Sequence, residues 1–507
     1  MTGKDHVQLD PIQEAMGSMG PWHAVIAISL SLVKFAVAWH QLSIVFLAPP
    51  TNFTCISPPS VDNDTIMKCS VNAGNDTFEK CTGFDYDRSI FKETITTQWN
   101  LVCDWEQLGN FAQTCTMFGI LVGNMIFSVM ADRIGRKIPL LLAVLLQSVS
   151  GLLSAFAPWY ELFLLLKFIS AVATGGTMLV SFVLLMEIVG VEWRSILSVL
   201  FHVPFLLGHL INPLISYLTR TWYGFQLVIS IPPILLLSYY WIIPESPRWL
   251  LAVGRVAEAE QILTRAAKRN KMPLGNVKAA IESHQNNVEH KPEKTQETYN
   301  LTHLFKTPNL RVKTLCICAN WMLCGTCFFG LAQYMGQLDG NIFINVAASA
   351  ASELPGTVIV LVLISRVSRL KILMGGNLLS GLGLLLITVI DNPTGQVCLA
   401  TMGLAGMAIS FPTVYLYSGE VFPTVVRNAG IGLASVCARF GSMIAPYIAT
   451  MGSIKPWLPP LLFGVGPLVG AGLCLLLPET MNCELPETIE DAENFGKKKD
   501  ARAVVPS

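Results

Sequence analysis

The sequence predicts an all-α membrane protein that crosses the bilayer twelve times. Of its 507 residues, 52% are hydrophobic and only 13% are charged, about half the charged share of an average soluble domain. The formal net charge is zero, which gives no reason to expect a nucleic-acid partner. The sequence contains neither a GxxxxGK[ST] phosphate loop nor an HExxH zinc pair, so we expect neither ATP-driven pumping nor zinc hydrolysis.

Long apolar runs are the main observation behind this fold class. A helix needs about 20 apolar residues to cross a hydrocarbon core of about 30 Å. Runs of that length lie at residues 22–48, 108–130, 138–158, 162–186, 196–218, 223–243, 313–336, 342–364, 370–390, 396–418, 428–450 and 457–477. In the fifth run we expect an interruption at Pro204 and Pro213.

These runs divide the chain into successive regions. They are a tail (1–21), a first span (22–48), a loop (49–107), spans two to six (108–243), a second loop (244–312), spans seven to twelve (313–477) and a C-terminal tail (478–507). The first span is too long for a cleaved signal peptide, so we expect it to be retained as an anchor.

Positive charges predict the orientation. Basic clusters follow the second, sixth and twelfth spans: Arg133, Arg136 and Lys137; Arg248, Arg255, Arg265, Lys268, Arg269, Lys271 and Lys278; and Lys497 to Lys499. Cytoplasmic loops are enriched in Lys and Arg, and all three clusters lie on one side if the N-terminus is cytoplasmic. We therefore predict a multi-pass protein of the plasma membrane with both termini in the cytoplasm.

The loop 49–107 has the marks of an extracellular segment. Three Asn-x-Thr sequons begin at Asn52, Asn63 and Asn75. Four cysteines lie in the same loop: Cys55, Cys69, Cys81 and Cys103. Two disulfides in a glycosylated cap are the economical interpretation, and four cysteines allow three pairings.

Charged motifs recur in the second half of the chain. Glu187 and Arg194 are matched by Glu420 and Arg427 at an offset of 233 residues, and Arg133 and Arg136 by Arg366 and Arg369 at the same offset. Pro244 and Glu245 recur one residue later as Pro478 and Glu479. This spacing predicts two parallel six-helix repeats, an arrangement in which the substrate site lies near mid-membrane between two bundles.

The repeated charges predict a cytoplasmic gate, although ordinary interfacial charges are the alternative. The predicted gate comprises Asp132, Arg133, Arg136, Glu187, Arg194, Glu245 and Arg248 in the first half and Arg366, Arg369, Glu420, Arg427 and Glu479 in the second. Carboxylate–guanidinium pairs that are partly removed from water can bias a two-state equilibrium and still break in each cycle. We expect them to favour an outward-facing state.

Three motifs carry a family resemblance. "ADRIGRK", "PESPRWLL" and "GEVFPTVVRNAG" resemble signatures of the major facilitator superfamily. With the Cys-rich loop after the first span, the chain closely resembles solute carrier family 22, the organic cation, organic anion and carnitine transporters. The segment "VAWHQLSIVFLAPPTNFTC" is similar to the corresponding segment of insect members labelled organic cation transporters. The resemblance covers residues 20 to 490 and implies a transporter with no enzymatic activity, cofactor or metal.

Ionisable residues deep in a span are candidates for a functional site, because exposure to lipid costs several kcal/mol. Arg439 lies twelve residues beyond Arg427, or about 18 Å into the bilayer, on a small and polar face. A cavity role is predicted for it, with a structural ion pair as the alternative. Lys167 carries the same two interpretations, and for Lys34 a cavity role is predicted with snorkelling to the interface as the alternative. His40 is interpreted as a hydrogen-bonded histidine at the outer helix end, with a protonation switch as the alternative, and no function is expected for His202 or His209.

Glu353 is the intramembrane carboxylate best placed to balance these cations. It is interpreted either as the counter-ion of Arg439 or Lys34, or as a contact for a cationic substrate group. By resemblance, Phe328, Phe329, Phe411 and Tyr415 fall on substrate-lining positions of the family, although core packing is the alternative for each. Aromatic rings there would select amphipathic ions.

Arg439 also bears on the substrate class. By resemblance, cation transporters of the family carry an acidic residue at this place, whereas anion and carnitine transporters carry arginine. We therefore expect alternating-access transport of small organic anions or carboxylate-bearing, carnitine-like zwitterions, with organic cations as the alternative. A sugar porter and a non-transporting membrane receptor are the remaining hypotheses. The expected partners are the substrate and the lipid bilayer, and the oligomeric state is left open.

Overall fold

The computed structural model describes residues 11–57, 69–72, 78–289, 301–364, 366–481, 483 and 486–496. The chain divides into two compact units. The first comprises Met1–Lys294 and Ala332–Leu354, and the second comprises Thr295–Leu331 and Pro355–Ser507. Asn63, Asn75 and Lys497 to Lys499, which were used in the sequence analysis, lie outside the described residues.

Helices dominate both units. In chain order they are α1 (Pro11–Met16), α2 (Pro21–Gln41), α3 (Ile44–Leu47), α4 (Ile95–Gln98), α5 (Gln107–Ile134), α6 (Lys137–Ser154), α7 (Tyr160–Ile188), α8 (Val191–Leu200), α9 (Val203–Thr219), α10 (Trp222–Ser230), α11 (Tyr239–Ile242), α12 (Pro247–Ala252), α13 (Val256–Asn270), α14 (Gly275–Glu289), α15 (Pro308–Tyr334), α16 (Ile342–Leu363), α17 (Arg369–Ile387), α18 (Pro393–Val421), α19 (Arg427–Thr450), α20 (Leu458–Cys474) and α21 (Ile489–Asn494). Short 3₁₀ turns lie at Cys103–Trp105, Pro232–Ser238, Leu301–Phe305 and Met451–Ser453.

Eleven helical stretches of the described chain are long and apolar enough to cross a bilayer. They are Pro21–Leu47, Cys103–Ile134, Lys137–Ser154, Tyr160–Ile188, Val191–Thr219, Trp222–Ile242, Pro308–Tyr334, Ile342–Leu363, Arg369–Ile387, Pro393–Val421 and Arg427–Ser453. The apolar helix α20 has 17 residues, near the lower limit for a span, and lies where the twelfth run was predicted.

Proline shapes the fifth span differently from our expectation. The helix is interrupted only between α8 and α9, just before Pro204, whereas Pro213 lies inside α9. Proline at the first turn of a helix removes no intrahelical hydrogen bond, because those N–H groups have no helical acceptor. Inside a membrane helix, neighbouring groups can satisfy the carbonyl that proline frees. The predicted break at Pro213 is therefore wrong.

The described parts of the N-terminal tail and of the second loop, from residue 11 and between residues 244 and 289, contain packed helices. Ala15 and Met16 of α1 are buried in one apolar cluster with Leu263 and Ala267 of α13. Asn270 connects the same elements, because its amide donates to the carbonyl of Met16 and its oxygen accepts from the N–H of Trp22. Short helices thus form a packed layer beside the start of the first span.

The loop between the first two spans contains the only strands among the described residues. β1 (Phe53–Ser57) pairs antiparallel with β4 (Gly83–Tyr86), and β2 (Ser70–Asn72) with β3 (Phe78–Lys80). Disulfides join Cys55 to Cys81 and Cys69 to Cys103, which selects one of the three pairings. Asn52 is exposed at the edge of β1.

A small apolar core supports this cap. Phe53 of β1, Tyr86 of β4 and Val102 are buried together in one apolar cluster. The hydroxyl of Tyr86 donates to Asn100 at 3.1 Å, and burial raises the pKa of Tyr86 to about 12. The phenol therefore keeps its proton, and its hydrogen bond, throughout the physiological pH range.

The disulfides generate a prediction for Cys55→Ser. They close segments of 26 and 34 residues, for which the restriction of the unfolded chain is worth about 3–4 kcal/mol each. We expect the variant to reach the cell surface in much smaller amounts, while the molecules that arrive retain their substrate affinity. Surface biotinylation and uptake measure the two quantities.

Cys398→Ser is the matched control, because Cys398 is an exposed free cysteine outside the cap. It should reach the surface normally. Reaction of all four cap cysteines with an impermeant thiol reagent on intact cells would contradict the disulfide assignment.

Candidate functional site

Two ion pairs anchor Arg136 at the start of α6. Its guanidinium bonds to the Glu187 carboxylate at the end of α7, with distances of 2.9 Å from Nη2 and 3.1 Å from Nε. Asp132, one turn before Arg136, lies 3.2 Å from Nη2. The arginine side chain is only 11% exposed, so its pairing with Glu187 is much less screened than a surface ion pair.

Glu245 holds the same helix start through the backbone. Its carboxylate accepts the N–H groups of Arg136 at 2.8 Å and Lys137 at 3.1 Å, which are first-turn donors with no helical acceptor. Gly135 precedes them with a φ of +96°, and a Cβ there would lie 2.3 Å from a Glu245 oxygen. Glycine is thus required by both the backbone conformation and the approach of the carboxylate.

The second unit repeats the arrangement with weaker geometry. Nε of Arg369, at the start of α17, lies 3.3 Å from the Glu420 carboxylate at the end of α18. The other Glu420 oxygen accepts the Thr480 hydroxyl at 2.5 Å. Glu479, the counterpart of Glu245, accepts the hydroxyl of Ser368 at the N-cap of α17.

The remaining predicted gate residues have diverse environments. Arg248 donates to the backbone carbonyl of Glu187 at 3.0 Å. Arg427 donates to the carbonyl of Phe422 at 3.1 Å and the Thr424 hydroxyl at 3.2 Å, both close to it in sequence. Arg194 is half-buried, whereas Arg133 and Arg366 are exposed. The repeat therefore predicts matching positions, but equivalent contacts form only at the helix starts.

Arg439 is buried in the second unit, with 8% of its surface exposed. Its guanidinium carbon lies 5.9 Å from the centre of the Phe329 ring. The helices α15 and α19 come close at two glycines: a Cβ on Gly325 would meet the Ala438 carbonyl, and one on Gly441 the Met322 carbonyl. This approach brings Arg439 against the aromatic ring.

The four aromatic residues implied by the resemblance come together around Trp321. Phe328 lies 5.3 Å from Phe329 and 6.0 Å from Phe411, and Trp321 lies 6.0 Å from Phe411 and 5.5 Å from Tyr415, all between ring centres. We call Trp321, Phe328, Phe329, Phe411, Tyr415 and Arg439 the aromatic–arginine cluster. Tyr415 is its most exposed member, at 38%.

The sequence analysis missed Trp321. It precedes Phe328 by seven residues on α15, so both lie on one helix face, and this spacing could have indicated it. Its indole N–H donates to the Ser418 hydroxyl at 2.8 Å. That bond fixes the ring plane against α18.

The two buried lysines of the first unit have defined contacts. The ammonium of Lys34 lies 4.6 Å from the centre of the Phe201 ring. Lys167 donates to the Ser43 hydroxyl at 2.6 Å, at the break between α2 and α3. The Lys167 contact favours the structural interpretation, because it ties α7 to an irregular part of the first span.

Glu353 contacts a histidine to which we had assigned no role. Its carboxylate lies 2.7 Å from Nδ1 of His209 on α9, and both side chains are almost completely buried. The two residues are 144 apart in sequence, so no local pattern could have predicted the contact. Both belong to the first unit, whereas Arg439 belongs to the second.

Comparison with known proteins places this arrangement in a family. A family model described as "Sugar (and other) transporter" matches residues 106–491. The organic cation transporter protein of Drosophila melanogaster is 34% identical, over 96% of this chain and 95% of that protein. Organic anion transporter 3 of Oryctolagus cuniculus is 31% identical over 96% and 93%, and human solute carrier family 22 member 12 is 35% identical over 83% and 77%.

Solved structures agree on the fold. The xylose transporter XylE from E. coli matches with a TM-score of 0.66 over 93% of this chain and 98% of that chain. Its sequence identity of 15% supports likeness of fold alone. The predicted all-α fold of two six-helix repeats is confirmed. The relatives and the fold together show that the chain is a multi-pass membrane protein of solute carrier family 22, within the major facilitator superfamily.

Proposed function

We propose that the protein moves small organic ions across the plasma membrane by alternating access, without covalent chemistry and with both termini in the cytoplasm. Its relatives include proteins named for organic cations and for organic anions, so family membership supports organic ions as a class. The ion pairs repeated at the helix ends can form and break without a chemical reaction.

We further propose that the preferred substrates are organic anions or zwitterions that carry a carboxylate. The observation that supports this choice is the buried Arg439 guanidinium against Phe329. A guanidinium can bind a carboxylate through two parallel hydrogen bonds, and in a poorly screened site it repels a simple cation. The aromatic rings around it add apolar area for an amphipathic molecule.

Organic cations are the alternative substrates, because aromatic faces also attract cations. The rings of the aromatic–arginine cluster would suit a flat ammonium compound if Arg439 served only to hold the helices together. Sugars fit this cluster less well, because three of its six members, Phe328, Phe329 and Phe411, have no hydrogen-bonding side chain.

The helix-end networks are proposed to act as the cytoplasmic gate. In the first unit the Arg136–Glu187 contact uses two nitrogens of the arginine, whereas in the second unit Arg369 reaches Glu420 through Nε at 3.3 Å. Charge-assisted hydrogen bonds are stronger when they are shorter and when two of them form between the same pair of side chains. The first network should therefore contribute more to the energy of the closed gate.

Arg136→Ala should slow transport without preventing surface delivery. Loss of a partly buried charge-assisted pair costs about 1.5–3 kcal/mol, which corresponds to about ten- to a hundredfold in an equilibrium or rate. Uptake normalised to surface protein should fall within that range, and the accessibility of an extracellular cysteine probe should shift toward inward-facing states.

Arg133→Ala is the matched control: Arg133 was predicted as a gate residue, but it is exposed and lies outside the proposed helix-end networks, three residues from Arg136. It should transport at nearly the rate of the unmodified protein. If Arg136→Ala leaves both uptake and probe accessibility unchanged, the gate assignment is wrong.

Arg439→Asp tests the substrate class. A labelled cation, a labelled carboxylate and a labelled carnitine-like zwitterion are offered to cells with confirmed surface expression. We expect carboxylate uptake to fall by about a hundredfold or more, because an attractive charge becomes a repulsive one, while cation uptake is retained or gained. Arg439→Lys keeps the charge without the bidentate geometry and should be intermediate.

Equal loss of uptake for all three compounds, in both variants, would show that Arg439 is structural. Retained carboxylate uptake in Arg439→Asp would contradict its role in recognition.

A further inference from the structure

A cavity of about 650 Å³ lies in the first unit, where the starts of α2 and α6 meet α11 and α13. Its apolar wall includes Trp22, Ile26, Ile138, Tyr240, Trp241 and Ile262. Its charged wall comprises Lys137, Glu245, Arg255, Glu258, Arg265 and Arg269. The volume is that of a typical small-molecule site, and none of the aromatic–arginine cluster lines it.

The carboxylates of this cavity are already engaged. Glu258 binds Arg255 through two bonds of 2.8 and 2.7 Å. Glu245 accepts the backbone N–H groups at the start of α6, as described above. What remains on the charged wall is a set of cations, Lys137, Arg265 and Arg269.

Two of these cations have no ion-pair partner among the described residues. Arg265 and Arg269 are exposed, lie one turn apart on α13, and form no ion pair with any part of the chain that the structure describes. The ammonium of Lys137 lies over the ring of Tyr240 at 4.8 Å, where Glu245 attracts it and Arg265 repels it. A cluster of like charges around a cavity attracts an anion.

The apolar wall shows which kind of anion fits. The sixth candidate span ends at Ile242, and its last residues Tyr240 and Trp241 are 59% and 80% exposed. Exposed aromatic residues at the end of a span are typical of the membrane–water interface. A soluble anion would use the cations alone, whereas a phospholipid also places acyl chains against the aromatic residues.

We propose that this cavity binds the headgroup of an acidic phospholipid, with Arg265 and Arg269 on its phosphate and its acyl chains beside Tyr240 and Trp241. The predicted orientation puts this end in the cytoplasmic leaflet, where anionic lipids attract basic segments. The lipid links α13 to α6 and α11, next to the Glu245 carboxylate that holds the start of α6. The proposal does not depend on which substrate is transported.

Lipid binding can be measured on the purified full-length protein by native mass spectrometry. Phosphatidylserine and phosphatidylcholine are titrated separately in detergent. We expect the unmodified protein to prefer phosphatidylserine, and the double variant R265Q/R269Q to bind it at least about tenfold more weakly, since two charge-assisted contacts are lost. Binding of phosphatidylcholine should be the same in both proteins.

Lys268→Gln is the matched control, because Lys268 is exposed on the same helix but does not line the cavity. It removes one positive charge and should leave phosphatidylserine affinity within about twofold. Unchanged affinity in R265Q/R269Q, or equal losses in R265Q/R269Q and Lys268→Gln, would overturn the proposal.

Two further arms identify the source of the phosphate and guard against misfolding. Inorganic phosphate and glycerophosphoserine, which lack acyl chains, should compete only weakly; displacement of phosphatidylserine by either at similar concentration would make this a soluble-anion site and overturn the lipid assignment. In the unmodified protein, the preference for phosphatidylserine should decrease as salt is raised. A preference that does not change with salt would exclude recognition by Arg265 and Arg269, even if the double variant does not fold.

Discussion

Neutralisation of charge that leaves water is the constraint on which the rest of this structure depends. A guanidinium or carboxylate removed from water is costly unless it meets an opposite charge or several hydrogen-bond partners. Arg136 meets Glu187, and at the same separation of 51 residues Arg369 meets Glu420. Equal covalent spacing thus yields equivalent contacts in both units, each joining the start of one membrane helix to the end of the next.

Most other buried charges have partners that hold helices in place. Lys167 ties α7 to the irregular end of the first span, and Glu353 meets His209. Arg439 lies against an aromatic ring, within a cluster that includes the partly exposed Tyr415. A cation beside aromatic faces is suited to recognise an ion with apolar parts, which is the chemical reason for proposing organic anions and zwitterions.

The need to neutralise charge also holds at the cavity beside α13, at the edge of the membrane. There the protein supplies cations whose carboxylate neighbours are occupied, and the surrounding bilayer can supply the missing anion. Because Glu245 both lines this cavity and holds the start of α6, lipid charge and the proposed gate are adjacent. Through this contact, the lipid composition of the membrane can affect the helix-end network.

Local chemistry in the sequence was sufficient to determine the family fold, the repeat and the residues of the helix-end pairs. Hydrophobic run length is set by bilayer thickness, and the offset of 233 residues preserves spacing between charges. Only the tertiary structure decided the disulfide pairing, the Trp321–Ser418 hydrogen bond, the His209–Glu353 contact and the packed helices beside the start of α2. Each of these joins residues far apart in the chain, where side-chain packing determines the neighbour and no sequence period records it.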